Sequence, residues 1–302
     1  MEAIKENAFP AKIIEIKDLF NEPAVAINIY LTLVSVLERF GISSRHSRET
    51  INRCFSLAKN YLSVPEYERD AHNLLKETGI TKEIPLKLAG RSKLIHDQIK
   101  PYLIPGSILD LGCGDGKVSG LLKMDGFDVV LADIYRNGYI NETQMEFRLI
   151  KNHDQIPAAD DEFANSLLLT VLHHSDNPIK ILQEIFRVTQ NNGRVVVIES
   201  VYGVDGFQLS EGERHKLQSY LSLNSEQQRM VNIFFDHFYN RLINYTEDVT
   251  KKANVPYNFN TPEGWKEIFE ENGFVQENVI HLGVDQPIVP EYHTLHVLKV
   301  IK

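Results

Sequence analysis

Asp110, Gly112, Gly114 and Gly116 fall in one stretch, SILDLGCGDG (Ser107–Gly116), in which an acid precedes glycines at alternate positions. Such glycines let the backbone turn sharply and admit a ligand against bare peptide groups. Asp133 follows 21 residues after Gly112, where a carboxylate can accept both hydroxyls of a ribose lying across strand ends. The chemistry of this set is the holding of a nucleoside. A second set lies in TVLHHSDNP (Thr170–Pro178), with His173 and His174 side by side. Imidazole titrates near neutral pH and can orient or deprotonate an acceptor. Neighbours on an extended chain cannot point the same way, so one of the pair packs or caps and the other, assigned to His174, meets the acceptor. A third set mixes rings with acids, amides and imidazoles: Phe234, Asp236, His237, Tyr239 and Asn240, then Pro256, Tyr257 and Asn258, and later Asp285, Tyr292 and His293. It reads as a cage for a small polar acceptor, against the alternative of a solvated helix face. Asp236 and Asn240 are four apart and share a face. His237, Asp236, His293 and His215 are zinc or iron ligands by type, yet none shows a tight ligand spacing, so no metal is expected.

The elements that must position these groups follow from the pattern. Ile108, Leu109 and Leu111 form a short apolar run typical of a strand buried on both faces. Lys117 to Met124 reads as a helix after the glycine turn. A dinucleotide fingerprint would need glycine at 117, where the chain has Lys117. Strands then alternate with helices: Phe127 to Ala132, Glu146 to Ile150, Asn165 to Val171 and Arg194 to Glu199 are strands, and Asp176 to Val188 is a helix. Alternation of this kind builds a parallel sheet with helices on both faces, and ligands sit at the carboxyl ends of its strands. Residues 201–260 interrupt the pattern with helical character in Glu211 to Leu223 and Glu226 to Tyr245. An insertion of that length is more often functional than idle. Thr261 and Pro262 open a helix that Gly273 ends, and Phe274 to Leu282 and Thr294 to Ile301 are closing strands.

The first third is helical. Asn21 is placed to cap a helix with Pro23 in its first turn, running to Phe40. Ser47 is placed to cap another, with Ile51, Cys54, Phe55, Ala58, Tyr61 and Leu62 on one stripe. Pro65 opens a third, ending near Gly79, and Pro85 opens a fourth leading to Tyr102.

From about Ser107 to Ser200, and more loosely to its end, the chain resembles the class I S-adenosylmethionine-dependent methyltransferases of small-molecule type. The resemblance rests on Asp110 and the three glycines, on Asp133, on the strand end at Thr170 to His174, and on Asn192-Gly193 before the fifth strand. It implies an α/β fold: a seven-stranded, mostly parallel Rossmann-like sheet with helices on both faces, an N-terminal helical region and a helical insertion after the fifth strand. The implied cofactor is S-adenosylmethionine, its ribose held by Asp133. The residues implied to bind it are Asp110, Gly112, Cys113, Gly114, Gly116, Asp133, Ile134, Asn152, His153, Asp154, Thr170 and Val171. Asn152 stands where the family has an acid for the adenine amine, and its side-chain oxygen can still accept that hydrogen bond; Asp154 is the rival for the role. His174, His237, Asp236 and His293, in that order, are the candidate bases.

The 302 residues, 43% hydrophobic and 24% charged, suit an ordinary globular protein. They divide as 1–100, a helical lid or dimerisation region, and 101–302, the methyltransferase domain, with 201–260 as the substrate-pocket insertion. A formal net charge of -9 disfavours nucleic acid as a partner. Cys54 and Cys113 are the only cysteines, which excludes a disulfide framework and fits a reducing cytoplasm. No basic-then-apolar leader stands at Met1. Ala24 to Leu37 is the most apolar run, too short to span a membrane and interrupted by Asn28. The leading function is therefore methylation of an O or N of a small molecule. The alternatives are methylation of tRNA or protein, and a non-catalytic partner subunit of the same fold.

Overall fold

The computed structural model describes residues 15–87, 90–151, 155–204, 211, 218–283 and 291–302. Asn152, His153, Asp154, His215 and Asp285 lie outside the described residues. In chain order the first elements are α1 (Ile16–Leu19), α2 (Pro23–Arg39), α3 (Ser44–Asn60), α4 (Val64–Glu77), α5 (Ile80–Lys87) and α6 (Arg91–Ile99). Then come β1 (Ser107–Leu111), α7 (Lys117–Met124), β2 (Asp128–Asp133), α8 (Ile140–Thr143), β3 (Glu146–Leu149), β4 (Phe163–Leu169), α9 (Pro178–Val188) and β5 (Thr189–Val201). The last are α10 (Ser225–His237), continued by a π-helical turn Phe238–Ile243, α11 (Pro262–Glu271), β6 (Phe274–Gly283) and β7 (Tyr292–Val300). The chain divides into two compact units: Met1–Ala89 with Val201–Phe259 and Gly283–Tyr292, and Gly90–Ser200 with Asn260–Leu282 and His293–Lys302.

In the second unit the strand order is β3-β2-β1-β4-β5-β7-β6. β1 pairs in parallel with β2 and β4, β2 with β3, and β4 with β5. β6 and β7 complete a mostly parallel sheet of seven strands. Side chains alternate between the two faces of a strand, and here both sets are buried. Ile108, Leu131, Leu167 and Val196 join one core cluster with Ile95, Ile99 and Leu122 of the helices. Leu109, Ala132, Leu168 and Val197 are equally inaccessible. That is why these strands read as continuous apolar runs. Chain order reverses between β1 and β4, which opens the crevice where ligands bind in such sheets.

Two strands end differently from the pattern expected. β4 stops at Leu169 because Thr170 turns into the left-handed region, φ +61°. β5 begins at Thr189 and accommodates Asn192-Gly193 as an irregularity in its pairing with β4. A Cβ on Gly193 would lie 2.7 Å from the carbonyl oxygen of Gln190, so only glycine fits.

The first unit is helical. Phe20 packs edge-on against Phe55 of α3 at 4.7 Å and Phe234 of α10 at 5.7 Å. Glu22, not Asn21, occupies the cap position of α2 and makes no side-chain cap bond. Ser43, not Ser47, caps α3, accepting from the His46 backbone N–H. Ser47 is buried in the first turn, its hydroxyl on the carbonyl of Ile42. Pro85 lies inside α5, because the chain turns at Gly79 (φ +79°) and re-enters a helix at Ile80. α10 corrects the solvated reading of its polar face. Gln228, Arg229, Asn232, Asp236 and His237 are buried together with Phe234 and Phe235. No described helix is long and apolar enough to cross a membrane. Asn28, in the most apolar helix, is buried and donates to the Ser219 hydroxyl at 3.1 Å.

Candidate functional site

The glycine turn leaves β1 with Gly112 at φ +70°, Gly114 at +55° and Gly116 at +69°. The Gly112 N–H donates to the Ala132 carbonyl at 2.8 Å, which ties the turn to β2, and the Gly116 N–H donates to the Cys113 carbonyl at 2.9 Å. The glycines serve different ends. A Cβ on Gly112 would stand 2.6 Å from Cγ2 of Val171, so this turn lies directly against the exit of β4. A Cβ on Gly114 would meet nothing within 4 Å. Gly114 therefore offers bare backbone to open space, as a seat for a ligand requires.

Asp133 ends β2 beside that seat. One carboxylate oxygen accepts the Gly114 N–H at 3.0 Å and the other the Tyr135 N–H at 3.3 Å. Burial raises its pKa above the ordinary aspartate value, and the half-buried residue keeps a path to solvent. Ile134, next along, is 55% exposed and supplies apolar surface at the strand end. These residues fit a nucleoside: a sugar-sized diol for the carboxylate, backbone for the amino-acid part and an apolar wall for a base.

Asp110 is buried at the end of β1 and accepts the Ser119 hydroxyl at 2.6 Å, which anchors α7 under the turn. Burial pushes its carboxyl up to about 7. The folded chain thus holds a proton that the unfolded chain releases between about pH 4 and 7. Stability from this group is complete below about pH 4 and is lost as pH rises through 7, by up to about 1.4 kcal/mol per pH unit. Urea unfolding of the wild type and Asp110→Asn at about pH 5 and pH 7 checks this. The wild type is expected to lose ground to the variant at the higher pH, and a pH-independent difference refutes it.

The exit of β4 is held from β5. Val171 and Leu172 donate their N–H groups to one oxygen of Glu199 at 3.0 and 2.7 Å, and Nδ1 of His173 lies 2.5 Å from the other. Glu199 is fully buried, and burial raises its pKa to about 7 against the lowering effect of these donors. Residues Leu172–His174 form a 3₁₀ turn, so the two imidazoles are not splayed as on an extended chain. Their ring centroids are 4.1 Å apart. His173 is buried and His174 half-buried. Sequence reasoning counted Glu199 only as the last residue of a strand. The available signal was an acid closing the apolar run Val195 to Ile198, since an acid buried there needs partners.

The helical unit holds the third set. His237 is buried, stacks on Tyr67 at 5.9 Å and shares a 2.7 Å hydrogen bond between Nδ1 and the Tyr257 hydroxyl. Its Nε2 makes no hydrogen bond among the described residues and lies 3.7 Å from a Glu68 oxygen. Burial lowers the imidazole to about 4, so it is neutral at physiological pH. Glu68 is fully buried and binds Arg241 at 2.8 Å and Lys252 at 2.6 Å. None of these three was singled out from the sequence, because their sequence separation hides a pairing made only by folding. Asn240 donates to the Asp236 carboxylate at 2.7 Å. Tyr257 adopts φ +62° and Tyr239 is buried. His293 is buried on β7 of the sheet unit.

Residues 109–197 match the family described as "Methyltransferase domain". No curated protein matches the chain. Among solved structures, the chain is similar to a SAM-dependent methyltransferase from Methanosarcina mazei (16% identity, 67% of this chain and 96% of that one, TM-score 0.46). It is also similar to one from Aquifex aeolicus (16% identity, 73% and 97%, TM-score 0.46). A third is the 1,6-didemethyltoxoflavin-N1-methyltransferase of Burkholderia thailandensis, solved with S-adenosylhomocysteine (13% identity, 80% and 92%, TM-score 0.46). Residues 109–197 thus form a methyltransferase domain within a Rossmann-like sheet of seven strands, and the activity that this domain gives the chain is methyl transfer with S-adenosylmethionine as cofactor.

Proposed function

We propose that this enzyme methylates an oxygen or nitrogen of a small polar molecule. The observation that supports the reading is the buried cluster of Tyr67, His237 and Tyr257 around Glu68, in which an imidazole nitrogen lies buried without a hydrogen bond among the described residues. Buried polar atoms are nearly always paired, and an acceptor hydroxyl or amine is a natural partner for this one. The negative net charge is further support, since it repels a polyanion. In this reading 201–260 supplies the acceptor pocket, 1–100 forms a lid or a dimer surface, and 101–302 is the methyltransferase domain.

When bound, S-adenosylmethionine supplies a methyl group on a positively charged sulfur, which leaves as a neutral thioether. The chain's own residues bind and orient: Gly112 to Gly116 with Cys113 hold the amino-acid part, Asp133 the ribose, and Ile134, Thr170 and Val171 the walls. Positioning does most of the work, because a well-oriented pair reacts as if at very high concentration. A base takes the proton that the acceptor loses. His174, His237, Asp236 and His293 are the candidates, in that order. With free cysteines at positions 54 and 113, a cytoplasmic enzyme fits.

His174→Ala or His237→Ala is expected to lower turnover by roughly tenfold or more while cofactor affinity persists. If His237 is the base, the acid limb of kcat falls near pH 4, below the ordinary histidine range, because its burial keeps it neutral above that point. A panel of small hydroxyl and amine acceptors assayed for S-adenosylhomocysteine release, with tRNA and a cell-protein extract as competitors, tests the substrate class. Release supported only by tRNA or protein overturns the small-molecule reading.

A further inference from the structure

Glu199 is a fully buried carboxylate near the end of β5. It reaches across from β5 and gathers the exit of β4, with Val171 and Leu172 N–H on one oxygen and the His173 ring on the other. Thr170, just before this nest, is held at φ +61° with its N–H on the Ile198 carbonyl at 2.7 Å. A non-glycine residue persists in that region only when its surroundings over-determine it, and Glu199 with Ile198 provides the determination. The contact does not end there. The Val171 side chain fills the space beside Gly112 that any larger residue would need. The same turn aims the Gly114 N–H at Asp133. A continuous line of contacts thus runs from Glu199 through Val171 to the glycine turn and Asp133.

We propose that Glu199 is a positioning residue for the cofactor: by clamping the turn after β4 it presses Val171 against Gly112 and so sets the glycine turn in its binding shape. The inference rests on S-adenosylmethionine binding at this turn. A carboxyl group that accepts several hydrogen bonds at once fixes the groups that donate them. Removing it leaves buried N–H groups without a partner, and the turn relaxes where Thr170 is strained.

The test is calorimetric titration of the full chain with S-adenosylhomocysteine, alongside its thermal midpoint, for the wild type, Glu199→Gln, Glu199→Leu, Val171→Ala and the Glu199→Gln/Val171→Ala double variant. Glu199→Leu is expected to raise Kd by tenfold or more. Glu199→Gln keeps one accepting oxygen, so it raises Kd less than leucine does, but at least threefold. With Val171→Ala already present, Glu199→Gln raises Kd by less than threefold, because the route is already cut. A lowered thermal midpoint with Kd within threefold of wild type would mean a purely structural role and overturns the proposal, as does an undiminished effect in the double variant. If the leucine variant does not fold, the glutamine pair decides by the same thresholds. A folded wild type that fails to bind S-adenosylhomocysteine instead overturns the cofactor site itself, a result distinct from wild-type binding that Glu199 does not influence.

Discussion

Asp133→Ala is expected to weaken S-adenosylhomocysteine binding by roughly thirty-fold to several hundred-fold while leaving the fold intact. The carboxylate ends β2 with both oxygens on backbone donors, Gly114 and Tyr135, and still reaches solvent. Hydrogen bonds to an ionised group are each worth about 1.5–3 kcal/mol, so loss of a two-oxygen grip on a ribose costs about 2–4 kcal/mol. The free protein loses far less, because burial already disfavours the charge of Asp133. Asp133→Asn, with one accepting oxygen left, should fall between the two. Calorimetry gives the affinities and urea unfolding the stability. A Kd for Asp133→Ala within threefold of wild type would remove the ribose role from this residue.

Gly112→Ala and Gly114→Ala should separate folding from binding. At Gly112 the left-handed φ of +70° costs a side chain about 1–2 kcal/mol. The new methyl would also meet Cγ2 of Val171 at 2.6 Å, and overpacking of that kind adds about 1–3 kcal/mol. A total loss of about 2–5 kcal/mol of stability is expected. Val171→Ala in the same chain should relieve the steric share, so that the double variant is more stable than the sum of the single effects allows. Gly114→Ala has only the backbone cost of about 1 kcal/mol, since its Cβ enters open space. That space is the proposed ligand seat, so cofactor affinity should fall more at Gly114 than stability does. Equal losses of stability at the two glycines would show that the close approach to Val171 is not what requires glycine at 112.

Ser107 to Gly116 could be read correctly as strand, turn and helix because every requirement there is local. Apolar residues fill a strand buried on both faces, the left-handed turns need glycine, and Lys117 starts a helix. The place of Asp133 at the end of β2 was legible for a similar reason, since the distance from the first glycine is set by one helix and one strand. The limits of legibility are equally specific. Thr170 looked like strand until its own backbone turned left-handed. Ser47 looked like a cap, yet Ser43 was the residue placed to meet the free N–H groups of α3. Asn232 of α10 and Arg241 of the turn that continues it find partners far along the chain, Val201 and Glu68, so their burial left no local mark.

Taken alone, the order of residues determined the class of fold and the order of its strands and helices, because these depend on periodicity and on motifs confined to a few tens of residues, while the cofactor followed from the family resemblance that those motifs carry. Only the tertiary structure decided that Glu199 clamps the exit of β4 and that Glu68 gathers Arg241, Lys252 and His237. The physical reason is that a buried charge is stable only with partners, and those partners are chosen by how distant segments meet, a matter that no local pattern records.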